Sequence, residues 1–378
     1  MKVGVLTING DTNYGNRLQN YAVQEVLKSL SCEVQTIVNR NNVRYKKHRR
    51  NFTEAINHFI EKNQGRSWDY FQLEVYKLKN KKTIKEYQTR RRKAFQSFTS
   101  TYISETDYAI SSGNIPADLG QNFDFFVTGS DQVWNPFYRR TSPIDFLTFA
   151  PKHKRIAYAA SFGVSAIPST FTEDFRTWLS EMQHLSVREQ AGADIIKELT
   201  GRDAAVLVDP TLMLNKDQWL SISKVSDLKP KRKYLLTYIL GKPAHGRKIS
   251  QRIAQDNNLE VVNLADIRAL RYYCIDPAEF IDLIHSAELV LTDSFHGAVF
   301  SILLERPFAV LERIGAQSLS SRLDTLLSTF RLQSRKWYSL QSGNDLFTID
   351  FSHVPAILEQ ERAKALDYLK DALGLSGR

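Results

Sequence analysis

The sequence predicts an α/β protein of two doubly wound Rossmann-like domains facing a cleft. Three observations carry this expectation. Short apolar runs rich in β-branched residues alternate with amphipathic helical patterns along most of the chain. The alternation pauses around Asn215–Lys233, where polar sequence ends in Lys-Pro-Lys-Arg-Lys, and then starts again. A chain of 378 residues is also longer than one hydrophobic core usually organises. The expected units are residues 1–215, residues 216–354, and a terminal helical stretch at 355–378 packing back across the domains.

Lys2–Ile8 is a short β-branched run and reads as a buried strand. The polar loop Asn9–Asn16 leads into Arg17–Leu30, where Leu18, Ala22, Val26 and Leu30 recur at helical spacing, and Glu33–Val38 reads as the next strand. Strand, loop, helix and strand make the opening unit of a parallel sheet. Further strands are expected at Phe123–Thr128, Arg155–Ser161, His184–Val187 and Ala204–Val208, with helices at Phe171–Met182 and Gln190–Leu199. Residues 41–104 break the rhythm with basic residues and irregularly spaced aromatics such as Phe52, Phe59 and Tyr76, and read as a helical insertion. The second series has strands at Lys233–Leu240, Glu260–Asn263, Leu289–Thr292 and Phe308–Leu311. Its helices are expected at Gly246–Asp256, Pro277–Ser286, Gly297–Glu305 and Ser318–Phe330, followed by an amphipathic helix at Ala356–Leu373. Ligands of such sheets bind outside the carboxyl ends of the strands, here in the cleft.

Composition narrows the function classes. The hydrophobic content of 42%, with only 17 Gly and 11 Pro, excludes disordered and collagen-like chains. Two cysteines, Cys32 and Cys274, make no disulfide framework and no cysteine zinc site, and the His residues show no metal-ligand spacing. No apolar run is long enough to span a membrane, and the opening run is too short and strand-like for a secretion signal, so a cytoplasmic location is expected. The net charge of +10 is uneven: Arg40–Lys93 holds 17 basic and 5 acidic residues, a net +12, leaving −2 elsewhere. That segment is expected to touch an anionic membrane face or an anionic lipid-linked acceptor. Clusters such as Arg49-Arg50 and Arg90–Lys93 also fit a nucleic-acid-binding module, but the charge does not extend over the two α/β domains.

Four strand-end segments could carry chemistry. In LVLTDSFHGAVF, Leu289–Phe300, a strand ends at Asp293, Ser294 follows, and Gly297 is expected to open a helix. His296 would face the cleft, oriented by Asp293, with free helix N–H groups nearby for an anion. In FVTGSDQVWNP, Gly129, Ser130 and Asp131 could let a ligand approach the backbone, and Trp134 could offer a flat face to a sugar ring. In HLSVRE, Arg188 stands at a strand end and suits carboxylate or phosphate recognition. The first loop, DTNYGNRLQNYA, contains Asn16 and Arg17 but no G-x-G-x-x-G fingerprint. Glu312-Arg313 and Ser321-Arg322 lie near further strand ends.

The segments FVTGSDQVWNP, RIAYAASFG, LSVREQAG, VLVDPTLML and VLTDSFHGAVFSILLERPFAVL, in this order, resemble the polysaccharide pyruvyl transferase family. The resemblance runs from the first strand to about Leu332 and skips the basic insertion. It implies a glycosyltransferase B-like fold and transfer of the pyruvyl unit of phosphoenolpyruvate to a glycan or its lipid-linked precursor, giving a pyruvate ketal. It implies no metal and no organic cofactor, with phosphoenolpyruvate as donor substrate. By resemblance, His296 is the general acid/base and Arg188 binds the donor. Many members carry Arg two residues before this His, where this chain has Ser294. The resemblance leaves Arg17, Lys242 or Arg322 to supply the missing charge. The alternative enzyme for such a fold is a glycosyltransferase that uses a sugar nucleotide.

Overall fold

The computed structural model describes residues 1–40, 68–137, 142–241, 243–313, 320–340 and 346–376. Its first half is a five-stranded parallel sheet in the order β3-β2-β1-β4-β5. The strands are β1 (Lys2–Leu6), β2 (Glu33–Asn39), β3 (Glu105–Ile110), β4 (Phe125–Thr128) and β5 (Arg155–Ala157). Parallel bridges Ile156↔His184 and Ala160↔Val187 add a small sheet of β6 (Ser186–Val187) and β7 (Ala205–Val206) beside β5. The second half is a four-stranded parallel sheet in the order β11-β10-β8-β9. Its strands are β8 (Tyr234–Tyr238), β9 (Glu260–Asn263), β10 (Leu289–Thr292) and β11 (Phe308–Val310). Strands β8 and β10 are buried along their whole length, as expected for parallel strands covered on both faces.

The helices are α1 (Tyr14–Ser29), α2 (Trp68–Lys79), α3 (Lys81–Tyr102), α4 (Thr172–Ser180), α5 (Gln190–Thr200), α6 (Pro210–Met213) and α7 (Lys216–Ser221). They continue with α8 (Pro243–Asp256), α9 (Leu270–Tyr273), α10 (Pro277–His285), α11 (Phe295–Leu303), α12 (Ser320–Thr329) and α13 (Val354–Ala372). Helices α1 and α11, which border the site, start earlier than the apolar spacing predicts, because their caps lie earlier. Asn13 accepts from the Asn16 amide, so α1 begins at Tyr14 and not at Arg17. Ser294 is the N-cap of α11, so His296 lies inside the first helical turn and Gly297 does not open it. Strand β3 is missing from the sequence reading, because ETDYAI opens on three polar residues, Glu105, Thr106 and Asp107, and the run lies at the end of the basic insertion.

Residues 41–67 of the insertion lie outside the described residues; the remainder is helical, as expected, and forms α2 and α3. Helix α3 is not merely an accessory surface. Arg91 is 4% exposed and donates to the Thr12 carbonyl at 2.8 and 3.1 Å, to Tyr14 Oη at 3.1 Å and to the Tyr273 carbonyl at 2.5 Å. It thereby joins the loop before α1 to α9 of the second half. Tyr14 adds to the same seam, stacking on Phe280 of α10 at 4.3 Å and donating to the Ile275 carbonyl at 3.0 Å. Arg91→Met is expected to lower unfolding free energy by about 1.5–3 kcal/mol, the range for lost hydrogen bonds to a charged group. Urea melts would check this; an unchanged midpoint would show that the seam holds without it. At the other end of the chain, α13 donates from Tyr368 to the Ala157 carbonyl at 2.7 Å and from Arg362 to the Leu212 and Leu214 carbonyls at 2.7 and 2.8 Å.

Candidate active site

The carboxyl ends of β1, β4, β8 and β10 and the first turns of α1, α11 and α12 meet around a cavity of about 260 Å³. That is near the lower end of small-molecule pockets, roughly 300–1,000 Å³. Asn13, Asn16 and Asp131 line it from the first half, and Ser294, His296, Arg313 and Arg322 from the second. Two helices of different halves, α1 and α11, therefore begin at one space, a setting that favours an anion.

Beneath the cavity lies a buried charge network. Asp209, at the end of β7, is fully buried and accepts from Arg188 Nη1 at 2.6 Å, from the Ser130 hydroxyl at 2.8 Å and from the Thr211 amide and hydroxyl at 3.0 and 2.7 Å. His296 Nε2 stands 3.7 Å from Asp209 Oδ2, an ion-pair distance too long for a hydrogen bond. Arg188 reaches Asp131 at 3.5 Å with its second nitrogen and lies over the Phe295 ring at 4.1 Å. Asn16 donates to the other oxygen of Asp131. Burial alone would push the Asp209 carboxyl up, but His296, Arg188 and Thr211 outweigh it and hold it far below the usual carboxylate range. Asp131 is likewise pulled down against burial, by Arg188, His296 and Arg322.

Arg322 completes the site. It is 6% exposed, its closest carboxylate, Asp131, is 4.0 Å away, and its Nε has no hydrogen-bond partner. Burial and the neighbouring Arg188 push its guanidinium down to about 10. The negative charge of an anion entering the cavity would offset both effects.

His296 is held by the absence of a side chain opposite it. A Cβ on Gly15 would sit 2.0 Å from His296 Nδ1, so the first turn of α1 and the imidazole pack in direct contact. Gly15→Ala must displace the ring or the helix. It is expected to lower kcat at least tenfold while far-UV circular dichroism stays unchanged; full turnover would show that the ring position does not matter.

The family model for polysaccharide pyruvyl transferase matches residues 13–313, which span all of these groups except Arg322. The chain belongs to the polysaccharide pyruvyl transferase family. No curated protein matches it. Among solved structures, the UDP-N-acetylglucosamine 2-epimerase from Rickettsia bellii is 11% identical at TM-score 0.49, with 98% of each chain covered. The UDP-GlcNAc 2-epimerase from Neisseria meningitidis, bound to UDP-GlcNAc, is 10% identical at TM-score 0.44, covering 100% of this chain and 94% of its own. The ADP-heptose lipopolysaccharide heptosyltransferase II of E. coli is 10% identical at TM-score 0.37, covering 96% of this chain and 99% of its own.

In this pyruvyl transferase family member the expected site residues divide into three groups. His296, Asn16, Asp131, Ser294 and Arg322 line the cavity. Arg188 and Ser130 lie behind it as partners of Asp209. The others do different work. Asp293 does not orient His296: its carboxylate accepts from the Leu240 and Gly241 amides, both at 2.7 Å, and from Arg313 at 3.3 Å. It ties the ends of β8 and β10 together, and Asp209 takes the place beside the imidazole. Arg17 points away from the cavity, pairing with Glu105 at 3.1 Å and the Ile8 carbonyl at 3.1 Å. Trp134 is 1% exposed, stacks on Phe146 at 5.1 Å and belongs to the core, so it offers no face to a sugar. Gly129 packs against the Tyr158 carbonyl, where a Cβ would come within 2.1 Å, and a Cβ on Gly297 would come within 2.3 Å of Thr292 Oγ1. Both serve close packing and not ligand approach. Lys242 lies outside the described residues. Asp209 escaped notice as a site residue, although Asp-Pro directly after the run Ala204–Val208 is the same strand-end signal that marks Asp131 and Asp293. Gly15 and Arg91 have no sequence signal of comparable strength.

Among the described residues, no group of three or more His, Cys, Asp or Glu is arranged to hold a metal, and no helix is long and apolar enough to cross a membrane.

Proposed function

We propose that the chain transfers the pyruvyl unit of phosphoenolpyruvate to two hydroxyls of a glycan, with His296 as general acid/base. The observation that carries this reading is that His296, opposed by Asp209 at 3.7 Å, shares one cavity with Arg322, whose Nε has no hydrogen-bond partner and whose nearest carboxylate is 4.0 Å away. A proton donor and an anion receptor then stand where one small acidic substrate can meet both. His296 protonates the methylene carbon of the donor, which becomes a methyl group and leaves a cationic C2 beside the carboxylate. One sugar hydroxyl adds to C2 and returns a proton to His296. Phosphate departs with the electrons of its bond to C2. The second hydroxyl closes the ketal, and its proton leaves with the phosphate. No oxidant or reductant enters this balance.

Arg322 and the first-turn amides of α1 and α11 bind the anionic groups, so Arg322 supplies the charge that Ser294 lacks. Arg313 lines the same cavity, braced by Asp293. Arg322→Met is expected to raise the KM for phosphoenolpyruvate about 10–100-fold, since a hydrogen bond to a charged group contributes about 1.5–3 kcal/mol. Acceptor KM should change little. Donor saturation curves and thermal-shift titrations with phosphoenolpyruvate test this; equal donor protection of wild type and variant would remove Arg322 from donor binding.

A further inference from the structure

Helix α3 presents two faces of opposite character. Ile84, Arg91, Phe95 and Phe98 are buried against the fold. The opposite face carries Lys81, Lys82, Lys85, Arg92 and Lys93, all exposed and none paired with a carboxylate among the described residues. At 100° per residue these five fall within one arc of about 120°. The helix's single acidic residue, Glu86, is taken by Arg90 at 2.7 Å, on the edge of the arc. At the α2–α3 turn, Leu78 stands 76% exposed between Lys77 and Lys79.

We propose that this face, from Leu78 to Lys93, docks the protein on an anionic lipid surface. A run of unpaired cations is drawn to a negative bilayer at about 1 kcal/mol per well-placed residue. The exposed leucine among lysines favours a bilayer over a nucleic acid, because it can enter the interfacial zone while the ammonium groups stay at headgroup level. Surfaces that bind single-stranded nucleic acid stack bases on aromatic side chains, and the arc of five cations holds no aromatic residue. The opposite face of the same helix holds Thr12 through Arg91, one residue from Asn13 on the cavity wall. Docking therefore sets the cavity at a fixed height above the bilayer, and its charge argument is independent of the proposed reaction.

Co-sedimentation of the full chain with phosphatidylcholine vesicles, with and without 30% phosphatidylglycerol, tests the proposal. Binding is expected only with the anionic lipid, weakening steeply between about 50 and 300 mM salt. The fivefold glutamine variant at Lys81, Lys82, Lys85, Arg92 and Lys93 should bind at least tenfold more weakly with unchanged circular dichroism. Leu78→Ser should weaken binding several-fold at unchanged charge. Sedimentation that survives the fivefold substitution, no sedimentation of wild type at low salt, or tighter binding to a duplex oligonucleotide than to the vesicles would each overturn the proposal.

Discussion

His296→Ala is expected to lower kcat by about 10²–10⁴, the range for loss of a positioned general acid/base, with little change in folding. The side chain is 5% exposed, but it lies at the cavity wall and not in the core, and its Nε2 makes no hydrogen bond. Removing it therefore opens space without orphaning a committed donor. Asp209 keeps Arg188, Ser130 and Thr211 as partners in the variant, so the network beneath survives. In the proposed reaction the imidazole acts at the reacting carbon and at the acceptor hydroxyl, so the loss should fall on kcat more than on donor KM. His296→Gln, which retains polarity but cannot carry the proton, should be nearly as impaired. Turnover within a few-fold of wild type would exclude the imidazole from the chemistry.

Arg188→Met is expected to be the most destabilising substitution near the site, at about 3–5 kcal/mol, because it leaves partners of a buried ion cluster without their counter-charge. Arg188 is 3% exposed and bridges Asp209 and Asp131, which lie 2.6 and 3.5 Å from its nitrogens. Burial pushes its guanidinium down, and the two carboxylates with Glu189 more than restore it. The two carboxyls in turn are held below their usual range. Groups of that kind contribute stability above their unfolded value, about 3.9 for Asp, and the contribution is lost as the pH falls below it toward the depressed folded value. The gap between wild type and Arg188→Met should therefore be full at neutral pH and shrink below about pH 4. Denaturant melts at pH 7, 5 and 3.5 would show it. A gap that does not change with pH would mean that Arg188 stabilises by packing on Phe295 alone.

The parallel architecture was legible because the strands other than β3 are short, largely apolar runs and most crossover helices have their own period. His296, Asp131, Asn16 and Arg322 were legible as groups at strand ends and helix starts, where α/β folds place their ligands. Asp293 and Asp209 show the limit of that reasoning. Both follow apolar strands, but only the three-dimensional pairing of β8 with β10 shows that the first braces the Leu240–Gly241 turn and Arg313, leaving the imidazole to the second. Trp134 looked available because a Trp beside Asn and Pro suggests a loop; packing on Phe146 and Phe162 buries it. Arg17 and Arg91 were misread for a common reason. Arg17 stood at a helix start as a spare cation and Arg91 in a run of basic residues, and neither setting tells a free guanidinium from a buried one; both are buried and committed to carbonyls and, for Arg17, to Glu105.

Pyruvyl transfer is tested most directly by supplying phosphoenolpyruvate with a panel of galactose-, mannose- and glucose-ended glycans and following both phosphate and acceptor mass. The account predicts phosphate release that depends on one acceptor class and a mass gain of one pyruvate less one water. Consumption of a sugar nucleotide by the same acceptors, with no phosphate released from phosphoenolpyruvate and no such mass gain, would contradict it.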